Sequence, residues 1–387
     1  MARKGHYGNG TIAPSGKSTW RIRYRIEGER FAKTVKGTRT EAGRELRRLL
    51  QSGDTGMHVA PDKITLAHWI EQWLALKERA TEAQTAERYA TVMKVHVVPV
   101  LGSKALQKIV AIDIDRLYAA LEQKLSPRTM SFLHVVLKSC LATAVKKSLL
   151  STNPVDRAER PAPDDSKVGM VLDEENLTKL VQGFRCTALY GIVAVAAFTG
   201  MRRNEILALR WCDIDLAART ISVTRSVERT DKYGLRVKGP KSARGRRTIK
   251  IDEGLVALLQ SERERHLRLV AGIPDGVEVD TSLIRLPEGA LAFPALDGTD
   301  LSALRCPSSV TQIFARRTRK LGFPGMRFHD LRASHGTLLL DRGVGVHTVA
   351  ERLGHDPALL LRVYAKRTKK SDTMAADIIG TMTKGVL

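Results

Sequence analysis

Two arginines, two histidines, a lysine and a tyrosine stand in four short, separated elements of the C-terminal half of the chain. The first is Thr199-Gly200-Met201-Arg202-Arg203-Asn204-Glu205, at the end of an apolar run. The second is Lys238-Gly239-Pro240-Lys241-Ser242, read as a loop between two strands. The third is His329-Asp330-Leu331-Arg332, and the fourth is Leu353-Gly354-His355, followed nine residues on by Tyr364. A guanidinium fork gives paired, charge-assisted hydrogen bonds to anionic oxygens. An imidazole takes up or releases a proton near neutral pH, an ammonium releases one, and a tyrosyl oxygen forms covalent bonds once deprotonated. Taken alone, each element has an ordinary structural reading. Arg202 begins at the edge of a buried segment and needs a partner, which Glu205 three residues on would supply. His329 and Arg332, at i and i+3, point to one side of a helix, as many surface pairs do. Lone lysines are commonly exposed, and lone tyrosines and histidines are commonly core residues.

The charge of the chain narrows the partner. Of its 387 residues, Lys and Arg number 64 against 41 Asp and Glu, a formal charge of +23. Such a surplus seeks polyanions, with nucleic acid the first candidate and an anionic membrane surface the second. The membrane reading is the weaker, because the longest apolar stretch, around 192–198, is far shorter than a bilayer span. Met1-Ala2-Arg3-Lys4 has no apolar signal core behind it. Cys140, Cys186, Cys212 and Cys306 are scattered, with no Cys-x-x-Cys pair, and read as reduced thiols of a cytoplasmic protein rather than disulfides or zinc ligands.

The elements that must position these residues follow from periodicity. The run at 20–26 alternates strictly, which predicts a strand with Trp20, Ile22, Tyr24 and Ile26 on one face and Arg21, Arg23 and Arg25 on the other. A returning strand is expected at 30–36 and a helix from about 40 to 51. Such a two- or three-stranded ribbon could lay its arginine face in a DNA major groove; a solvated outer face is the ordinary alternative. Residues 62–153 read as all helical. Leu66, Trp69, Ile70, Trp73 and Leu74 form an apolar stripe capped by Thr65. A second helix is expected over 83–97, ending at Pro99 and Gly102, and a third from about Asp113. A fourth begins at Ser126-Pro127 and runs to about 150. The proline-containing, charge-mixed stretch 154–169 is expected to be a linker. Beyond it, a β segment including 220–227 and 246–251 lies among helices, with helical patterns at 253–270, 308–321 and from His329 onward. The expected fold is multidomain, mainly α with small β elements: a β-ribbon-plus-helix unit at 1–55, a helical domain at 62–153 and a mixed α+β domain at 170–387.

Together and in this order, the four elements resemble the tyrosine recombinase, or phage integrase, family. Its pattern is an arginine in a Thr-Gly-hydrophobic-Arg box, a hairpin lysine, His-x-x-Arg, Leu-Gly-His and a tyrosine. The resemblance covers about 170–370. Residues 62–155 resemble that family's core-binding domain, and 1–55 the arm-binding domain of phage and conjugative-element integrases. One departure is Gly245, where a serine often precedes the arginine pair, here Arg246-Arg247.

The resemblance implies that Arg202, Lys241, His329, Arg332, His355 and Tyr364 fall on the family's active-site positions. In that role Arg202 and Arg332 suit the non-bridging oxygens of a phosphodiester, where negative charge builds during attack. Tyr364 would be the nucleophile. A neutral His329 would accept its proton, Lys241 would protonate the leaving 5′ oxygen, and His355 would hydrogen-bond the phosphate. Glu205 would orient an arginine. The implied product is a 3′-phosphotyrosyl intermediate formed without metal or other cofactor. The implied activity is site-specific DNA recombination that integrates or excises a mobile element. Double-stranded DNA is the implied partner, at core sites and, through Arg21, Arg23 and Arg25, at arm sites. A homotetramer on DNA, a two-domain clamp around the duplex and help from an excisionase or DNA-bending host factors are also implied. The tail 371–387 carries Met374, Ile378, Ile379 and Met382 at helical spacing, for docking on a neighbouring protomer or on its own domain. A type IB topoisomerase, a non-enzymatic DNA-binding protein and a chromosome-dimer resolvase stand as alternatives.

Overall fold

The alternating run at 20–26 forms the middle strand of a three-stranded antiparallel sheet in the computed structural model, which describes residues 10–26, 28–54, 63–161, 169–239, 245–274, 276–295 and 299–358. Its strands are β1 (Thr11–Gly16), β2 (Thr19–Ile26) and β3 (Glu29–Lys36), followed by helix α1 (Arg39–Asp54). Ile22 and Tyr24 are buried with Ala42, Leu46 and Leu49 of α1, while Arg21, Arg23 and Arg25 are exposed. Register sets Arg25 opposite Arg30, Arg23 opposite Ala32 and Arg21 opposite Thr34, so these partners share the outer face. Lys33 is paired with Ile22 on the inner face and ties the sheet to α1 by donating to Glu45 at 2.8 Å.

The helical segment is built on its tryptophan stripe. Thr65 caps α2 (Leu66–Ala80) by accepting from the His68 amide. Leu66, Trp69, Ile70 and Trp73 are buried. Trp69 Nε1 donates to the Cys140 carbonyl and Trp73 Nε1 to Thr143 Oγ1, each at 3.2 Å, so both indoles are satisfied core groups. The expected helix at 83–97 continues through Pro99 and ends, as expected, at Gly102. Helix α3 (Ala83–Val92) passes through a π turn at Met93–Val97 into α4 (Val98–Leu101). Pro99 sits in the first turn of α4, where a missing N–H is tolerated. Helix α5 (Ala111–Glu122) starts before Asp113, whose carboxylate accepts from the Val110 amide at 2.9 Å and from Lys104 at 2.5 Å. Helix α6 (Pro127–Lys146) starts at its Ser126 cap and stops short of 150, with Ser148 in a left-handed conformation. A 3-10 turn at Pro154–Arg157 buries Val155 with the helical core.

The chain divides into two compact units, Met1–Ser166 and Lys167–Leu387. The second opens with α7 (Glu174–Gln182) and α8 (Tyr190–Thr199), the latter apolar all round and buried almost throughout. The short α9 (Arg203–Ile206) and a 3-10 turn at Trp211–Asp213 lead into β4 (Ile214–Asp215), β5 (Thr220–Val223), β6 (Ser226–Thr230), β7 (Gly234–Lys238) and β8 (Arg247–Lys250). The β segment expected at 220–227 is two strands in different sheets. β5 is central in the order β4-β5-β8, whereas β6 pairs with β7 as a hairpin. Between them Thr224 and Arg225 both turn their side chains to Asp213, which ends one ladder before the next begins. Helices α10 (Glu253–Val270), α11 (Pro307–Lys320), α12 (Phe328–Asp341) and α13 (Val346–Leu353) complete the unit. Phe314 of α11 stacks on Phe184 and meets Phe328 of α12 edge-on. Among the described residues the fold is mainly helical with small antiparallel sheets. Among them, too, no helix is long and apolar enough to cross a membrane. The four cysteines are free thiols.

Candidate active site

Two glycine turns make the site. Gly200 ends α8 in a left-handed conformation, φ 68°. A Cβ there would lie 2.5 Å from Leu353 Cδ2 and 2.8 Å from His335 Cδ2, so both backbone and space demand glycine. Gly354 ends α13 in the same way, φ 62°. Arg202 caps the N-terminus of α9 just beyond the first turn. Arg332, 2% exposed, rises from α12. It donates to the Gly200 carbonyl at 2.6 Å and to the Leu353 carbonyl. Arg202 donates to the Gly354 carbonyl at 3.1 Å. The two arginines therefore cross-link the ends of α8 and α13 through backbone carbonyls.

Glu205 aims Arg202. Its carboxylate accepts from Arg202 Nη1 at 2.7 Å and from the Arg202 amide at 2.9 Å. The expected Arg202–Glu205 ion pair is thus present, and a third group joins it: Arg247 of β8 donates to both Glu205 oxygens, at 3.2 and 2.8 Å. Burial would raise the Glu205 carboxyl, but Arg247 and then Arg202 outweigh it and hold the group below its ordinary value. Arg202 itself keeps 38% of its side chain exposed, so the pairing leaves it accessible to a ligand.

His329 and His355 lie in the field of both arginines. His329 keeps an exposed face. Partial loss of water and then the charges of Arg332 and Arg202 push its imidazole below the ordinary histidine value. His355 is pushed down to about 3, by burial first and then by Arg332 and Arg202. Both rings are therefore neutral at pH 7. The positive charge of the site belongs to the arginines, while the imidazoles offer one donor and one acceptor each. Asp330, between His329 and Arg332 in sequence, pairs with Arg327 at the start of α12.

Among the expected residues, Arg202, His329, Arg332 and His355 are thus brought together. Lys241 and Tyr364 lie outside the described residues, as does the tail 371–387. Lys238, close to Lys241 in sequence, ends β7 and is bound to the buried Glu228 at 2.7 Å, beside Arg236 at 3.0 Å. Arg21, Arg23 and Arg25 belong to the separate β1–β3 sheet. Sequence reasoning missed Arg247, Arg352 and His335. Arg352 donates to His335 Nε2 at 3.1 Å and to the carbonyls of Lys250 and Phe198. Arg246-Arg247 was visible as a basic pair, but its partner is 42 positions away and no local spacing announces it. An arrangement of this kind can bind an anion, hold its charge and move a proton beside it. Among the described residues, no group of three or more His, Cys, Asp or Glu is placed to hold a metal ion.

Comparison with known proteins bears on the same region. The model of the phage integrase family matches residues 170–371, and that of the phage integrase N-terminal SAM-like domain matches 65–121. An integrase of Streptomyces ambofaciens is 26% identical over 391 residues, covering 95% of each chain. Among solved structures, the integrase of transposon Tn1549 in complex with a circular intermediate DNA aligns with a TM-score of 0.67 at 19% identity. That alignment covers 82% of this chain and 99% of the other. A lambda integrase tetramer bound to a Holliday junction aligns with a TM-score of 0.56 at 16% identity, covering 92% and 96%.

Proposed function

Since this chain belongs to the phage integrase family, we infer that it is a tyrosine-type site-specific DNA recombinase that integrates or excises a mobile element. The observation that carries the chemical reading is the convergence of Arg202, Arg332, His329 and His355 on the two glycine turns. Tyr364, losing its proton to His329, attacks the scissile phosphorus. The 5′ oxygen departs with a proton from Lys241, and a 3′-phosphotyrosyl bond replaces the phosphodiester. Arg202 and Arg332 stabilise the negative charge that grows on the non-bridging oxygens, and His355 donates a hydrogen bond to the same group. In the second step a 5′ hydroxyl of the partner duplex attacks phosphorus and gives its proton to Lys241, while the tyrosyl oxygen leaves and takes back the proton held by His329. The bond energy is retained in the ester, so the scheme calls for no metal or nucleotide. The neutral state of His329 at pH 7 supports its role as acceptor, since an imidazolium could not take the tyrosyl proton.

Residues 1–55 act in this reading as an arm-type domain, 62–153 as the core-binding domain, 154–169 as the linker and 170–387 as the catalytic domain. The partner is duplex DNA at core and arm sites, and exchange between two duplexes calls for a homotetramer on DNA, in a cytoplasmic setting. An excisionase or DNA-bending host factors would set the direction.

A nicked suicide duplex drawn from sequence flanking the gene tests the chemistry. Wild type should give a protein–DNA band that survives denaturation without added metal, and Tyr364→Phe should give none. Absence of the band from both, on DNA that both bind, would favour a binding protein. Relaxation of supercoils without strand exchange would favour a topoisomerase.

A further inference from the structure

We propose that Arg247 is a positioning residue that holds Arg202 and the Leu353-Gly354-His355 turn in one register, through the Glu205 carboxylate and the Arg352 carbonyl. The proposal rests on reading Arg202 as a phosphate clamp. Arg247 is 3% exposed at its side chain and lies on β8, away from both elements in sequence. Its Nη1 and Nη2 donate to Oε1 and Oε2 of Glu205 at 3.2 and 2.8 Å. The same two oxygens receive Arg202 Nη1 and the Arg202 amide. The carboxylate is thus gripped from two sides and cannot turn about its terminal bond without breaking contacts. Arg247 Nε meanwhile donates to the Arg352 carbonyl at 2.8 Å, one residue before the Leu353 carbonyl that Arg332 holds. Its Nη1 also reaches the Gly245 carbonyl at 3.2 Å. One guanidinium therefore joins β8, α9 and the end of α13.

Stability alone does not account for this arrangement. A buried ion pair is often no better than an apolar pair of similar volume, and its attested use is to fix geometry. A lysine would supply charge without the fork that meets both carboxylate oxygens and the carbonyl together. Without Arg247, Glu205 would hold Arg202 from one side only, and the partly exposed Arg202 would sample other rotamers. Misplacement of a reacting group by about 1 Å costs about 100-fold in rate.

Single-turnover formation of the covalent complex on a suicide duplex tests the proposal, with either a phosphodiester or a neutral methylphosphonate at the scissile position. The neutral group develops less negative charge during attack and depends less on an aimed arginine. Arg247→Met should slow the phosphodiester reaction by about 100-fold and the methylphosphonate reaction far less. Arg247→Lys, which keeps the charge and favours folding, should lie between Met and wild type. The E205Q change should slow R247M by less than it slows wild type, because the two residues act through one contact. Losses equal on both substrates, or tracking a lowered melting temperature, would make Arg247 part of the scaffold and overturn the proposal. Wild-type rates in both variants would do the same while leaving the active-site reading intact. Failure of wild type itself to form the complex would remove that reading, and the positioning role with it.

Discussion

His335 shows how one buried side chain sets a limit on the site. Its Nδ1–H donates to the Ala197 carbonyl at 2.9 Å, and Nε2 accepts from Arg352 at 3.1 Å. Both contacts fit the neutral ring. Burial, then the charge of Arg352, push its pKa down to about 4. The unfolded chain takes up a proton below about pH 6.5, which the native state refuses down to about pH 4. Native stability is therefore complete above pH 6.5 and is lost as pH falls through that window. Between pH 7 and pH 5 the loss from this residue should be about 1–2 kcal/mol. His335→Gln keeps a donor and an acceptor and removes the titration. Urea unfolding at the two pH values should show a smaller difference for the variant by that amount; an unchanged difference would place the titration elsewhere. Gly200 sets a second limit. Gly200→Ala forces a side chain into a left-handed backbone against Leu353 and His335, and should cost about 1–3 kcal/mol in thermal unfolding. A melting temperature equal to wild type would show that the turn can relax.

At the scale of elements, the outer face of the β1–β3 sheet carries the next prediction. Arg21, Arg23 and Arg25 are exposed, and Arg30 stands opposite Arg25 on the same face. None of the three supports the core formed by Ile22, Tyr24 and α1. Replacing all three with Ala should leave folding intact and weaken binding to a distal arm site. If each contacts one phosphate, the salt slope for that site should fall by about 2.7. Intact arm binding would reduce this face to a solvated one. The alternation that exposes these arginines was legible in the sequence because a strand writes its two faces into alternate residues. The α2 stripe was legible for the same reason at helical spacing, and the Thr65 and Ser126 caps were visible as local chemistry. The β5–β6 break was not, because what ends β5 is the turn of Thr224 and Arg225 towards Asp213, a contact between segments. Lys238 stood in a stretch read as a loop between two strands, yet it ends β7 and shares the buried Glu228 with the partly exposed Arg236. The site follows the same division. His329 and Arg332 share a helix and a local motif, whereas Arg247 belongs to the cluster only through a partner distant in the chain.

At the scale of the whole molecule, the charge of +23 makes affinity a matter of counterion release. Part of that basic surplus is held inside the protein by shared carboxylates. Arg202 and Arg247 share Glu205, and Arg236 and Lys238 share Glu228, so each of these carboxylates serves two cations. If the full chain neutralises roughly eight phosphates on a core duplex, log K should fall against log salt with a slope of about −7. The slope is measured by titrating one labelled duplex at several salt concentrations. It distinguishes a protein that grips the DNA backbone from one whose charge merely keeps it dispersed. A slope near zero would mean that phosphates contribute little, and the site would then have to draw its substrate by base contacts alone. A steep slope that persists in Tyr364→Phe would separate binding from chemistry, because that variant lacks the nucleophilic oxygen and keeps every cation.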